Sequence, residues 1–141
     1  MLSRTTDEKH VAFIEDTGIP PENLREFVVD LQEVLEDHET YASFYAHAGP
    51  GVLHIRPLVN TKTQEGLEAM ESITDDVTSL VVKYDGSVSG EHGDGRARTQ
   101  WNRKLYGDEM WEIFQELKSV FDPDWLLNPA RSCSEKTTPP T

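Results

Sequence analysis

The segment that most limits the fold is a short glycine-proline-glycine turn near the middle of the chain. Gly49-Pro50-Gly51 separates Tyr41-Ala-Ser-Phe-Tyr-Ala46 from Val52-Leu-His-Ile-Arg-Pro-Leu-Val59. Both flanks are rich in β-branched and aromatic residues, and the residues between them suit a tight reversal. The two flanks are therefore predicted to pair as an antiparallel hairpin. Helices are available to cover one of its faces. After Pro20-Pro21, the residues Leu24, Phe27, Val28, Leu31, Val34 and Leu35 recur at helical spacing, which predicts a helix from Pro21 to His38. Leu67, Met70, Ile73, Val77, Leu80, Val81 and Tyr84 mark a second helix, stopped at Asp85-Gly86 by a residue able to take positive φ.

Two further short segments read as strands: Val11-Ala-Phe-Ile14, closed by Gly18-Ile-Pro-Pro21, and Ser87-Val-Ser89. A last helical stripe is formed by Trp111, Phe114, Leu117 and Phe121, with Trp101, Trp111 and Trp125 assigned to packing of this terminal segment. The order β-α-β-β-α-β predicts an α+β fold of the ferredoxin-like split βαβ kind. Its antiparallel sheet would carry helices on one face, with a C-terminal helical segment added. One domain is expected over residues 11–131, between a linker at 1–10 and a flexible tail at 132–141.

Lys and Arg number 13 against 26 Asp and Glu, a formal net charge of −13. Such a charge opposes a generalised affinity for nucleic acid or anionic membranes. Either a solvated surface or adaptation to a salt-rich cytoplasm accounts for it. Cys133 is the sole cysteine, so this chain alone offers no disulfide framework, zinc ribbon or iron–sulfur cluster. No apolar run approaches the roughly 20 residues of a membrane span, and the N-terminus lacks a signal-peptide core, so a cytoplasmic location is expected.

Chemistry concentrates in two places. If the hairpin turns symmetrically about Pro50-Gly51, His47 and His54 face each other across the strands, close enough for both imidazoles to reach one cation. Spacing equally allows two histidines meeting at a strand end by chance. Gly90-Glu-His-Gly-Asp-Gly95 is a glycine-rich loop in which Gly90, Gly93 and Gly95 permit sharp turns and close approach by a ligand or cofactor. Glu91 joined to two imidazoles would make an N/O site suited to Zn²⁺ or a similar divalent ion. His92, an imidazole, could take a proton from a substrate hydroxyl. A solvated turn is the plainer reading of the same loop. Arg56, two residues beyond His54 on one strand face, could clamp a substrate carboxylate or pair with an acid; Arg96 and Arg98 are weaker candidates for the same task. No Gly-x-x-x-x-Gly-Lys-Ser/Thr phosphate loop and no Gly-x-Ser-x-Gly elbow occurs.

Ala46-His-Ala-Gly-Pro-Gly-Val-Leu-His54, Gly90-Glu-His-Gly-Asp-Gly95 and Phe121-Asp-Pro with Leu127-Asn-Pro129, in that order, resemble the C-terminal domain of the FAD-linked oxidases. That group includes glycolate oxidase, D-lactate dehydrogenase and D-2-hydroxyglutarate dehydrogenase. Phe13-Ile-Glu-Asp-Thr-Gly-Ile-Pro-Pro-Glu-Asn-Leu24 and Val52-Leu-His-Ile-Arg-Pro57 resemble the long members fused to an iron–sulfur part. The resemblance implies a divalent metal on His47, His54 and Glu91, with His92 as base. It implies oxidation of a small D-2-hydroxy acid to a 2-oxo acid, with hydride passing to FAD held largely by a domain or subunit outside this chain. An iron–sulfur electron-transfer part is a further implied partner. Two other readings belong to different classes: a non-catalytic metal- or small-molecule-binding module, and a stand-alone metallohydrolase, for which no water-activating carboxylate stands out.

Overall fold

The computed structural model describes residues 7–128, in the order β1 (Lys9–His10), β2 (Ile14–Gly18), α1 (Leu24–Asp37), β3 (Ala42–His47), β4 (Val52–Val59), α2 (Gln64–Lys83), α3 (Gly95–Arg98) and α4 (Asn102–Phe121). Short 3-10 turns occupy Pro21–Asn23 and Thr99–Trp101. The expected tail at 132–141, Cys133 and the first six residues of the expected linker lie outside the described residues. β1 falls within that linker stretch. The chain divides into two compact units, Met1–His92 and Gly93–Thr141.

In the first unit β4 is the central strand. Its Ile55 pairs with Ile14 of β2 on one side and Phe44 of β3 on the other, both antiparallel. β1 pairs with the far end of β4, at Leu58 and Val59. The α+β class expected from the sequence holds. Beyond β2, the strand predicted at Ser87–Ser89 shrinks to a single bridge, with Gly18 N–H donating to Ser87 O at 2.9 Å and Ser87 N–H to Gly18 O at 2.7 Å. Ser87 Oγ then donates to Ser89 O and accepts from Ser89 N–H, so local side-chain bonds replace a longer ladder. The segments thus lie in the order Ser87, β2, β4, β3, the split βαβ order with its fourth strand reduced to a bridge.

The first predicted strand is also displaced. Val11–Phe13 links β1 to β2 while the ladder runs through Ile14–Gly18, across two acids that hydropathy had excluded. Both long helices form where expected. α1 buries Phe27, Leu31 and Leu35, α2 buries Ile73, Val77 and Val81, and the two pack together with α2 on β2 and β4. Each such side chain contributes about 1.5–3 kcal/mol by leaving water.

Both helices end in the same device. Asp85 N–H bonds Val82 O and Gly86 N–H bonds Val81 O, while Glu39 N–H bonds Glu36 O and Thr40 N–H bonds Leu35 O. The left-handed residue in each is an acid, Asp85 at φ 53 and Glu39 at φ 52. Gly86 serves close packing instead, since a Cβ there would stand 2.6 Å from Gly18 O.

In the second unit, a left-handed Gly107 (φ 80) interrupts α4. Of the predicted stripe, Trp111 is buried, whereas Leu117 and Phe121 are exposed. Trp125 Nε1–H donates to Ser119 Oγ at 3.2 Å. No helix among the described residues is long and apolar enough to cross a membrane.

Candidate metal and substrate site

Alternation along β4 turns Leu53 and Ile55 toward the core and His54 and Arg56 to the opposite face. The hairpin register differs from the symmetric one: His47 opposes Val52, and His54 opposes Tyr45. The reason is the turn, which spans Ala48–Gly51 and is closed by Gly51 N–H on Ala48 O at 3.3 Å. Gly51 has φ 76, and a Cβ there would fall 1.9 Å from Ile19 O, so both conformation and packing require glycine. A displacement of two residues leaves every side chain on its original face. His47 and His54 are therefore diagonal neighbours, edge to face with ring centroids 5.2 Å apart.

Glu91 and His92 reach the hairpin because of Asp16. Between Ile14, which opposes Ile55, and Thr17, which opposes Leu53, β2 has two residues where β4 has only His54. This bulge holds Glu15 and Asp16, with Asp16 at φ 54. Fully buried, Asp16 accepts through Oδ2 from Ser89 Oγ–H at 2.8 Å, Glu91 N–H at 2.8 Å and His92 N–H at 2.7 Å. Its carbonyl accepts from Gly90 N–H at 2.7 Å. Gly90 has little room for a side chain, since a Cβ would lie 3.1 Å from Val52 Cγ2 and 3.2 Å from Asp16 O.

One donor atom each from His47, His54 and Glu91 lies within 4.8 Å of the others. His47 Nε2 is 3.8 Å from Glu91 Oε1, and His54 Nε2 is 3.7 Å from Glu91 Oε2. Donors shared by one tetrahedral cation lie about 3.4 Å apart, so little movement closes this set. His54 Nε2 is buried and has no hydrogen-bond partner among the described residues. An orphaned buried nitrogen facing a carboxylate beyond hydrogen-bond reach fits a divalent cation between them. His92 adjoins the trio, with Nε2 3.7 Å from Glu91 Oε2 and its side chain 55% exposed.

Arg56 does not stand alone on the strand. Its Nε and Nη2 donate to the two oxygens of Glu15 at 3.1 and 3.2 Å, and Nη2 also donates to Tyr45 Oη at 3.0 Å. Tyr45 Oη–H donates to Glu15 Oε1 at 2.9 Å, and the Tyr45 ring stacks on His54 at 4.2 Å. Glu15 Oε1 also lies 2.9 Å from His54 Nδ1. The Arg56 guanidinium, helped by Tyr45 and His54, outweighs partial burial and holds Glu15 below the usual carboxylate range. The same contact raises Arg56, and Glu15 raises Tyr45.

The family described as FAD linked oxidases, C-terminal domain, matches residues 1–131. The chain belongs to this family. It is 35% identical over 126 residues to D-2-hydroxyglutarate dehydrogenase of Haemophilus influenzae, covering 89% of this chain and 12% of that protein. D-lactate dehydrogenase of Archaeoglobus fulgidus is 32% identical, over 87% of this chain and 27% of its own length. Glycolate oxidase subunit GlcD of Bacillus subtilis is 23% identical, over 92% and 28%. The chain thus spans between about an eighth and under a third of these relatives.

Within this FAD-linked oxidase domain, the structure brings His47, His54, Glu91, His92 and Arg56 together in the first unit, with Gly90 behind them. Gly93 (φ 74) and Gly95 (φ 56) belong to the second unit and take left-handed backbone. Arg98 donates to Gly93 O, so it serves the loop's own backbone. Glu15 and Asp16 were the residues missed by sequence reasoning. Their signal was present: two adjacent acids inside the apolar β segment Phe13-Ile-Glu-Asp-Thr-Gly18 break strand alternation, as a bulge does.

Proposed function

We propose that this chain is the substrate- and metal-binding portion of an FAD-dependent 2-hydroxyacid dehydrogenase, which oxidises a small D-2-hydroxy acid to the 2-oxo acid. The observation that carries this reading is the convergence of His47, His54 and Glu91 donor atoms beside a half-exposed His92. The names of the relatives supply the substrate class, D-2-hydroxyglutarate, D-lactate or glycolate. When bound, the divalent cation supplies a Lewis acid for the substrate oxygens and the flavin supplies the hydride acceptor.

The chain's own residues supply the rest. His47, His54 and Glu91 hold the cation, with Zn²⁺ the natural choice for an N/N/O donor set. His92, whose ring makes no hydrogen bond among the described residues, accepts the proton of the substrate 2-hydroxyl through a ring nitrogen. Arg56 keeps Nη1 clear of its fork on Glu15 and presents it to the substrate carboxylate. Gly90 would let the backbone of its segment come close to the cofactor. An FAD-binding domain or subunit completes the site, and an iron–sulfur part is the electron outlet proposed from the motifs shared with the long members.

Calorimetric titration with Zn²⁺ and with Mn²⁺ tests the reading. His47→Ala, His54→Ala and Glu91→Ala are each expected to weaken binding by about 100-fold or more, the upper end of what even indirect metal partners cause. Equal affinity in all four proteins sinks the metal assignment. Metal binding with no reduction of a supplied cognate flavin domain by any of the three hydroxy acids would favour the non-catalytic module instead.

A further inference from the structure

The bulge in β2 places a carboxylate behind a buried imidazole. A buried imidazole presents a bare nitrogen to a cation only if its other nitrogen keeps the proton, and a hydrogen-bond acceptor decides which. His54 is 2% exposed, and among the described residues Glu15 is the group at hydrogen-bond distance from its ring, 2.9 Å from Nδ1. Tyr45 covers the ring face and His47 meets it edge-on. Glu15 is itself fixed from two further directions, by the Arg56 fork and by Tyr45 Oη–H.

We infer that Glu15 is a positioning residue of this site: it accepts the Nδ1–H of His54, fixing the tautomer and ring angle so that bare Nε2 faces Glu91. Arg56 and Tyr45 hold the Glu15 carboxylate in plane through their hydrogen bonds, so Arg56 serves the site from behind as well as through Nη1. The geometry explains two otherwise separate facts. His54 Nε2 is left without a hydrogen bond although buried, and a strand in a small sheet carries a carboxylate only 13% exposed on the far side of the imidazole. Gln at position 15 would keep the shape but bring an amide N–H₂ toward the guanidinium and toward Nδ1. The Arg56 fork would break and both tautomers of His54 would become accessible.

This inference rests on the proposed metal site only for its affinity arm. The first measurement uses the full chain without metal. Long-range ¹H–¹⁵N spectra of the His54 ring are expected to show protonated Nδ1 and bare Nε2 in the wild type, and a tautomer mixture in Glu15→Gln. A wild-type ring protonated on Nε2, or already mixed, overturns the inference whether or not metal binds. The second measurement is Zn²⁺ calorimetry, in which Glu15→Gln is expected to lose about 10–100-fold in affinity. Tyr45→Phe, which keeps the stacked ring and removes one bond to Glu15, is expected to lose less and to keep the wild-type tautomer. Zn²⁺ affinity unchanged in Glu15→Gln, with the wild type binding, also overturns it. A wild type that binds no Zn²⁺ but shows the fixed tautomer removes the metal reading and leaves the positioning role intact.

Discussion

Replacing Asp16 by asparagine isolates what holds the segment Gly90-Glu91-His92 against the hairpin. Asparagine has nearly the same shape and tolerates the left-handed backbone of this position (φ 54), so the change adds no backbone strain. What it removes is charge. One oxygen of Asp16 accepts three hydrogen bonds, from Ser89 Oγ–H and from the N–H groups of Glu91 and His92, at a fully buried position. Bonds to an ionised acceptor contribute about 1.5–3 kcal/mol each and neutral ones about 0.5–1.5. The difference, about 1 kcal/mol per bond over three bonds, predicts a loss of about 3 kcal/mol.

That loss should be local first. In hydrogen exchange on the full chain, the Glu91 and His92 amides should open more easily by about this amount, while core amides of α2 change less. The urea midpoint should fall by about 1–3 M for a denaturant slope of about 1–3 kcal/mol/M. If both amides exchange as in the wild type and the midpoint is unchanged, Asp16 does not anchor the loop. The account of how Glu91 reaches the histidines would then fail with it.

Two other substitutions follow from the same coordinates. Glu39→Gly and Asp85→Gly relieve left-handed backbone at φ 52 and 53 while keeping the helix-terminating bonds, so each should raise the midpoint stability by about 1 kcal/mol in urea unfolding. Asp30 is held below its usual 3.8 by hydrogen bonds from Lys83 and then Tyr84, both at 2.6 Å. A carboxylate lowered in the folded state contributes stability above its unfolded value and loses it as pH falls through the folded value. Stability measured by denaturant titration should therefore drop as pH falls below about 3.8, and Asp30→Asn should flatten that drop.

The parts of the fold that were legible in the sequence are those with strong periodicity. Phe27, Leu31 and Leu35 in α1, and Ile73, Val77 and Val81 in α2, are spaced so that only a helix buries them together. The hairpin was legible from its Gly49-Pro50-Gly51 turn and strand-forming flanks, and its histidines met despite the wrong register because side-chain direction depends only on parity. The displaced strand was not legible. A reader of hydropathy places a strand on Val11–Ile14 and stops at Glu15-Asp16, whereas the strand continues past those acids because each finds hydrogen-bond partners. Those partners lie tens of residues away, at His54, Arg56, Glu91 and His92, so no local pattern shows them. The Ser87 bridge was hidden for a simpler reason, since the short run Ser87-Val-Ser89 fits a brief strand as well as a bridge, and the break at Gly107 precedes the stripe that the sequence marked from Trp111 onward.

The bulge shows why the two segments that carry the proposed cation donors need a third to meet. In a regular β2 opposite β4, side chains would alternate between faces, so Asp16 would enter the hydrophobic layer with Ile14 while Glu15 and Thr17 both faced away from it. The extra residue avoids that. It lets Ile14 and Thr17 both oppose core residues of β4, Ile55 and Leu53, while Glu15 and Asp16 both leave the ladder opposite His54. Glu15 then fastens the hairpin through His54, Arg56 and Tyr45, and Asp16 fastens the loop through Ser89, Glu91 and His92. Because Glu15 and Asp16 are joined by one peptide bond, the two fastened pieces are tied through adjacent residues as well as through the long connection by α2. That makes β2 the frame of the site, although it supplies none of the proposed cation donors.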